Sequence, residues 1–400
     1  MKKFFPYELP PNWHWTTLKN VCELSNGEKL FDKKLPYLDV KYLRGKSQKN
    51  LVENGNYIAK GSKIILVDGE NSGEIFTVFE NGYMGSTLRA LKILEYVDAD
   101  FFQYFISTKK ELYRKNKKGS AIPHLNKNLF YSTLFPLPPL DEQKRIVAIL
   151  ESLFSKLDAA KSIVQKVLDG YELRRAAILH KAFTGELSKK FRAENNLSLD
   201  DWQEKKLGEV IKLLSGQDFK SKDYNSLKIG IPYIIGASNF KNTHVLINRW
   251  TEKPTVLAKF GDVLLVCKGS GYGKAIIADF PIAHIARQIM ALRPNKELCN
   301  RLVYYFLQFK NNDLKDSGQG LIPGISRKVV LNLKINLPPI EEQKEIVRVL
   351  DSLLDKEQRT KDLAENILHE IELLKKSILA RAFRGELGTN NPSEKLEGSS

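Results

Sequence analysis

Residues 137–150 read LPPLDEQKRIVAIL and residues 337–350 read LPPIEEQKEIVRVL, one phrase written twice, 200 positions apart in a chain of 400 residues. Paired prolines end whatever precedes them, and the acidic residues that follow suit the positive end of a helix dipole. Apolar residues then recur in a 4-3 alternation: Ile146, Leu150, Leu153, Leu157, Ala160, Val164, Val167, Tyr171, Arg174 and Ile178. The second copy runs Ile346, Leu350, Leu353, Glu357, Thr360, Ala364, Ile367, Ile371, Leu374 and Ile378. This spacing predicts two long helices with a coiled-coil seam, weakened at Arg174, Glu357 and Thr360. Gly185 and Gly385, in AFTGEL and AFRGEL, stand where the helices should stop. A helix over 142–183 would be about 63 Å long.

The duplication extends upstream. AKGSKIILVDGENSG (59–73) matches LAKFGDVLLVCKGSGYG (257–273), with Gly61, Gly69 and Gly73 facing Gly261, Gly269 and Gly273. FFQYFI matches LVYYFL, and Ile122-Pro123 matches Ile322-Pro323, after which the two copies run without a gap. Near the start of each copy the register slips: Trp13, Leu18 and Gly27 face Trp202, Leu207 and Gly216, and Pro36-Tyr37 faces Pro232-Tyr233. Divergence in the front half and constancy in the second point to a duplicated architecture with variable front loops. Short apolar runs such as KIILV and DVLLV predict strands, and one helix should open after Asp98 or Asn295 and end near Tyr113 or Lys310.

The predicted fold class is α+β: two globular, strand-rich domains, each followed by one long helix. The expected boundaries are 1–140 and 199–340 for the globular domains, 141–187 and 341–387 for the helices, 188–198 for a linker and 388–400 for a disordered tail.

Net charge is +16. The segment 141–187 holds eight Lys/Arg against seven Asp/Glu and 341–387 nine against eleven, so the two helices together contribute −1 and the surplus lies on the globular domains. That distribution favours paired surfaces for an anionic partner. No run of eighteen apolar residues is present, and MKKFFPYELPPNW breaks at Pro6, so a cytoplasmic protein without membrane contact is expected. Cys22, Cys267 and Cys299 lack any CxxC or HxxxH company, which predicts buried thiols and neither disulfides nor metal.

With LPP[LI][DE]EQ at 137–143 and 337–343, gap-free helices behind it, and F-x-G-E-L at 183–187 and 383–387, the chain resembles the specificity subunit of type I restriction and modification systems over nearly its whole length. The resemblance implies that each globular domain is a target-recognition domain reading one half of a bipartite site in double-stranded DNA. It implies that the two long helices pack antiparallel as a coiled-coil spacer separating the globular domains, which gives the chain internal pseudo-two-fold symmetry, and that they dock two modification (methyltransferase) subunits, which restriction (endonuclease and translocase) subunits join. No cofactor is then expected in this chain: S-adenosylmethionine belongs with the modification subunit, ATP and Mg with the restriction subunit. The residues agree. No methyl-donor loop accompanies an N-P-P-[FY] or D-P-P-Y tetrapeptide, and Glu-Gln-Lys at 142–144 and 342–344 lacks the Pro-Asp half of a nuclease site. A spacer of at most about 60 Å corresponds to roughly 18 base pairs, and unlike front loops call for unlike half-sites. A helical adaptor without sequence preference, or a fragment of a fused restriction enzyme, are the competing readings.

Candidate DNA contacts fall on three pairs of loops. KGSGYGK (268–274) lacks the G-x4-G-K-[ST] spacing of a phosphate loop, so its glycines should make a tight turn, with Lys268, Tyr272 and Lys274 facing DNA and Glu70 and Asn71 in their place in copy one. The basic stretch 113–127 and its counterpart 309–328 supply Lys117, Lys118, Ser120, Lys127, Gln319 and Arg327, with His124 read as structural. Arg44, Lys46, Ser238, Asn239 and Lys241 follow the Pro-Tyr strands and are the expected base discriminators. Arg89 and Arg287 fit structural ion pairs. The expected helix seam comprises Ile146, Leu150, Leu153, Leu157, Val164, Ile346, Leu350, Leu353, Ile367 and Ile371.

Overall fold

The computed structural model describes residues 5–117, 123–241, 243–269, 271–316, 324–388 and 390–391. The chain divides into two compact units, one of residues 1–165 with 366–400 and the other of 166–365. Each unit therefore joins a strand-rich body to the start of one long helix and the end of the other.

In the first unit, strands Cys22–Ser25, Leu88–Ile93, Lys63–Leu66 and Ile75–Thr77 form an antiparallel sheet in that spatial order. A second sheet holds Glu28–Leu30, Gly55–Ile58, Gly82–Met84, Leu35–Leu38 and Leu51–Val52, with one parallel pairing, Tyr37 to Tyr83. The KIILV run explains itself here. Ile64 and Leu66 face a core with Leu38, Ile58 and Met84, while Ile65 and Val67 face another with Phe101, Phe105 and Phe135. A strand covered on both sides reads as a continuous apolar run because alternate side chains enter opposite cores.

The second unit repeats the plan. Strands Ile211–Ser215, Ile289–Pro294, Val263–Val266 and Ala275–Ile277 make its first sheet, and Trp250–Thr251, Ile231–Ile234, Ile282–Ile285 and Leu257–Lys259 its second, again with one parallel pairing, Tyr233 to His284. Leu264 and Leu265 enter different cores. In both units the entering strand, His14–Thr17 or Gln203–Lys206, pairs antiparallel with the strand that runs into Pro-Pro, Leu134–Leu137 or Lys334–Leu337.

Register is less uniform than the 200-residue offset predicts. Leu88–Ile93 corresponds to Ile289–Pro294 and Ala99–Thr108 to Asn300–Phe309, both 201 apart, because one residue is added further upstream: Val78 and Ala278, which accept from Gly61 N and Gly261 N, are still 200 apart, whereas Tyr83 and His284, which pair with Tyr37 and Tyr233, are 201 apart. The helix expected after Asp98 or Asn295 is two helices in each unit, Ala99–Thr108 then Lys110–Lys115, and Asn300–Phe309 then Asn311–Asp316. Asp98 caps the first by accepting from the backbone of Asp100 and Phe101. In the second unit Asn295 instead accepts from Glu297 N and the helix begins later.

The second long helix is continuous over Ile340–Phe383, whereas the first is assigned as Leu140–Asp169 and Tyr171–Phe183. Gly170 keeps right-handed dihedrals, and its N–H still reaches Lys166 O at 3.2 Å, so the interruption is a local loosening. Helix contacts are antiparallel within each unit. Lys161 meets Glu372 (2.6 Å) and Asp158 meets Lys375 (2.5 Å) in the first, three residues forward on one helix matching three back on the other. In the second unit Tyr171 donates to Gln358 (2.7 Å), and Arg174 pairs with Glu357 (2.8 Å), so two of the residues that weaken the apolar pattern satisfy each other.

Ile146, Leu150, Ile346 and Leu350 are buried in clusters that hold residues of the strand-rich body together with residues of the other long helix, Ala382 and Phe383 in the first unit and Leu179 and Ala182 in the second. Leu153, Leu157, Val164, Leu353 and Ile367 are half-buried, and Ile371 is buried.

The F-x-G-E-L repeat anchors helix ends. Phe383 is buried against Phe101 and Phe105, with centroids at 5.1 and 5.3 Å, and Phe183 lies against Phe306 and Phe309 at 5.4 and 5.1 Å. Gly185 and Gly385 both have φ of +80°, the left-handed turn that ends a helix, and a Cβ on Gly385 would sit 2.2 Å from Pro10. The segment expected as a linker contains the helix Lys189–Glu194, whose Arg192 is buried, as is the preceding Ser188.

Candidate nucleic-acid interface

The glycine-rich loops 67–74 and 267–274 are turns between neighbouring strands. Gly69 and Gly73 have φ of +110° and +97°, and Gly269 and Gly273 of +85° and +89°. Gly73 N donates to Leu66 O at 2.7 Å and Gly273 N to Val266 O at 2.8 Å, so the described parts of the two turns share these backbone bonds while their side chains differ. A second strand of backbone runs alongside each turn: Leu125 N donates to Val67 O (2.7 Å) and Ile325 N to Cys267 O (2.8 Å). Two isolated antiparallel bridges result, Asp68 with His124 and Lys268 with Gly324.

Around the second bridge lies a cleft of about 330 Å³ lined by Ser215, Cys267, Lys268, Arg287, Ser326 and Arg327, among others. Arg327 is held across it, donating to Leu213 O (2.8 Å) and Ser215 Oγ (3.2 Å). Arg287 pairs with Asp218 at 3.1 Å, yet its side chain is 69% exposed. Lys268 is exposed and has no carboxylate partner among the described residues. Burial pushes the Cys267 thiol up from its ordinary value, and its Sγ donates toward Gln288 O at 3.3 Å, so the cleft floor carries no reactive thiolate.

Around the first bridge the chemistry is acidic. His124 Nδ1 lies 2.6 Å from Asp68 Oδ1, and Lys117 bonds Glu70 at 2.8 Å. The hydrogen bond from Lys117, and then its charge, hold the exposed Glu70 carboxyl below its usual range. His124, expected as structural, is 52% exposed.

The remaining candidates divide. Lys46, Lys127, Ser238, Lys241 and Lys274 are exposed. Arg44 is partly exposed, ion-paired to Glu74 and placed over Phe76. Asn71 is half-buried, its carbonyl accepting from Glu74 N. Tyr272 is half-buried and packs against the core of the second unit. Asn239 is buried: its Oδ1 accepts from Ile235 N (3.0 Å) and Gly236 N (3.3 Å) and its Nδ2 donates to Leu246 O (2.8 Å), so this amide staples its loop and is not available to read a base. Arg89 donates to the carbonyls of Ser86 and Leu88 rather than to an acid. Lys118, Ser120 and Gln319 lie outside the described residues. Sequence reading missed Ser215 and Ser326 as lining residues. The one signal for Ser326 was its place next to Arg327, three residues after Pro323 of the Ile-Pro repeat.

The buried Glu-Gln of each repeated phrase has a structural job that the helix dipole alone does not convey. Gln143 accepts from Asp98 N (2.8 Å) and donates to Tyr96 O and Pro138 O (3.0 and 2.9 Å); Gln343 accepts from Cys299 N (2.9 Å) and donates to Glu297 O and Pro338 O (2.8 and 2.9 Å). Among the described residues, no group of three or more His, Cys, Asp and Glu is placed to hold a metal ion, and no helix is long and apolar enough to cross a membrane.

A duplicated strand-rich body, a pinned Glu-Gln at the head of each long helix and a phenylalanine anchor at its foot define a class. The chain belongs to the type I restriction modification DNA specificity domain family, which it matches twice, over residues 10–168 and 199–373. It is 28% identical to the type I restriction enzyme MjaVIII specificity subunit of Methanocaldococcus jannaschii over 98% of this chain and 96% of that one. It is 26% identical to the EcoKI specificity subunit of Escherichia coli strain K12, over 85% and 77% of the two chains. Among solved structures it resembles one described under complex assembly and conformational transition of the type I R-M system, with TM-score 0.78 and 25% identity over 95% of this chain and all of that one. The HsdS subunit from Thermoanaerobacter tengcongensis gives TM-score 0.63 at 25% identity over 95% of this chain and 99% of that one. The chain is thus a specificity subunit of a type I restriction-modification system.

Proposed function

We propose that each strand-rich body, within residues 1–140 and 199–340, reads one half of an asymmetric, split site in double-stranded DNA. The long helices, over 141–187 and 341–387, set the distance between the half-sites and dock two modification subunits, which restriction subunits join. The chain itself catalyses nothing. S-adenosylmethionine is used by the modification subunit, ATP and Mg by the restriction subunit, and the complex works in the cytoplasm.

The observation that carries this reading is the pair of turns at 67–74 and 267–274. Their described parts share the same backbone hydrogen bonds and present unlike charged side chains in the two units, as expected where a shared scaffold reads different base pairs. The test is to express the chain with its modification subunit and map methylated sites by sequencing. Four residues inserted after Leu168 should change the spacer and leave both half-sites unaltered. Altered half-sites with an unchanged spacer, or equal affinity for random duplexes, would refute the proposal.

A further inference from the structure

The bridges Asp68–His124 and Lys268–Gly324 occupy one position in the repeated scaffold, and their chemistry is opposite. In the first unit a carboxylate lies there with its Oδ1 taken by His124, and no second group donates to it among the described residues. A carboxylate has more acceptor capacity than one hydrogen bond uses, so Asp68 keeps an acceptor edge. At 28% exposure it is open to solvent on one side. In the second unit the same place holds an ammonium on a flexible stem. The absence of a side chain at 324 gives that stem room: a Cβ there would lie 3.4 Å from Lys268 Cγ and 3.1 Å from Cys267 O. Arg327 and Arg287 flank the same cleft, one tethered to backbone, the other largely exposed. The scaffold therefore offers an acceptor at one bridge and a cluster of donors at the other.

We infer that this bridge is a specificity-determining position of opposite polarity in the two units. Asp68, oriented by His124, accepts from the exocyclic amino group of a cytosine or adenine, and Lys268 donates to the O6 and N7 acceptors of a guanine. The chemistry follows from the major-groove edges, where cytosine N4 and adenine N6 are donors and guanine presents two acceptors. The inference rests on the DNA-reading function proposed above and adds which chemical class of base each unit meets at one place.

The test uses the full chain with its modification subunit, a randomised duplex library for binding and sequencing of methylated sites. Wild type, Asp68→Asn, Lys268→Gln and the double variant Asp68→Lys/His124→Gly are compared. Asp68→Asn should reduce discrimination at one base pair of one half-site about tenfold or more, and Lys268→Gln should do so in the other half-site, each leaving the opposite half-site as an internal control of folding. The double variant should move the preference at its position toward guanine. Three outcomes overturn the inference: equal weakening on every duplex with a shallower salt dependence, which marks phosphate contacts; a wild-type preference kept in all variants; or relaxation in the wrong half-site. If wild type itself prefers no split site, the function proposed above fails instead.

Discussion

Glu142 and Glu342 stand at the same place in the repeated phrase and both are fully buried, yet they are neutralised by different means. Glu342 accepts from Ser188 Oγ (2.7 Å), Arg192 Nη1 (2.6 Å) and Trp202 Nε1 (2.9 Å), all from the segment between the two copies and the start of the second. Glu142 accepts from Arg145 Nε (2.9 Å), one turn along its own helix, and from Asn390 N (3.0 Å) after the end of the second helix. Trp13, the counterpart of Trp202, has a buried indole N–H without a partner among the described residues. The difference teaches that described residues after each F-x-G-E-L meet the buried carboxylate, a buried arginine on a short helix in one case and the backbone N–H of Asn390 in the other. A buried carboxylate must be met by donors, and which donors meet it depends on what chain happens to follow.

The largest expected effect tests this directly. Arg192→Ala strips the charged partner from a carboxylate that cannot reach water, at a cost of about 3–5 kcal/mol. Because the units need not unfold together, the measurement is hydrogen exchange resolved by unit rather than a single melting temperature. Protection should fall across 166–365 and persist in 1–165. Arg145→Ala should cost less, since Arg145 is 35% exposed and its replacement admits water to Glu142. Equal losses in both units would erase the contrast.

The glutamines sharpen the comparison by removing the asymmetry. Gln143 and Gln343 make the same three hydrogen bonds to the same kinds of backbone group. Gln143→Ala and Gln343→Ala should therefore destabilise their own units equally, by about 2–3 kcal/mol each, as buried donors and acceptors lose their partners. A difference of more than about 1 kcal/mol, beyond the usual context scatter of one hydrogen bond, would mean that the neighbouring carboxylate's environment reaches the glutamine.

These details also mark where the sequence is legible. The helices, the punctuation at Pro138-Pro139 and Pro338-Pro339 and the stops at Gly185 and Gly385 could be read because each is a local rule about periodicity, a missing N–H or a positive φ. Ile146 and Leu350 carry the seam periodicity, but periodicity names a buried face and does not reveal that a strand-rich body packs into the same cluster as the other helix. Asn239 was misplaced for a related reason: a polar residue on a divergent loop looks the same whether it points outward or holds the loop shut. Arg192 sits in a charged, polar stretch of linker-like composition, and its burial depends on a carboxylate 150 positions away in the chain. The opposite bridges at 68 and 268 were half visible, since alignment pairs Asp68 with Lys268, but nothing in the spacing reveals that 124 and 324 lie beside them.

The smallest effect isolates one N–H. Trp202→Phe removes a hydrogen bond to the Glu342 carboxylate and should cost about 2 kcal/mol in the second unit, within the range for bonds to charged groups. Trp13→Phe removes a donor that makes no bond among the described residues. Two opposing terms then set its outcome: the substitution relieves the desolvation of a buried polar group, and it loses apolar ring contact in a core where Trp13 is 5% exposed. Those terms are similar in size and opposite in sign, so the net change should stay below about 1 kcal/mol. A loss at Trp13 as large as that at Trp202 would show that its indole donates to a group of the first unit in solution, and the two arrangements would then be equivalent after all.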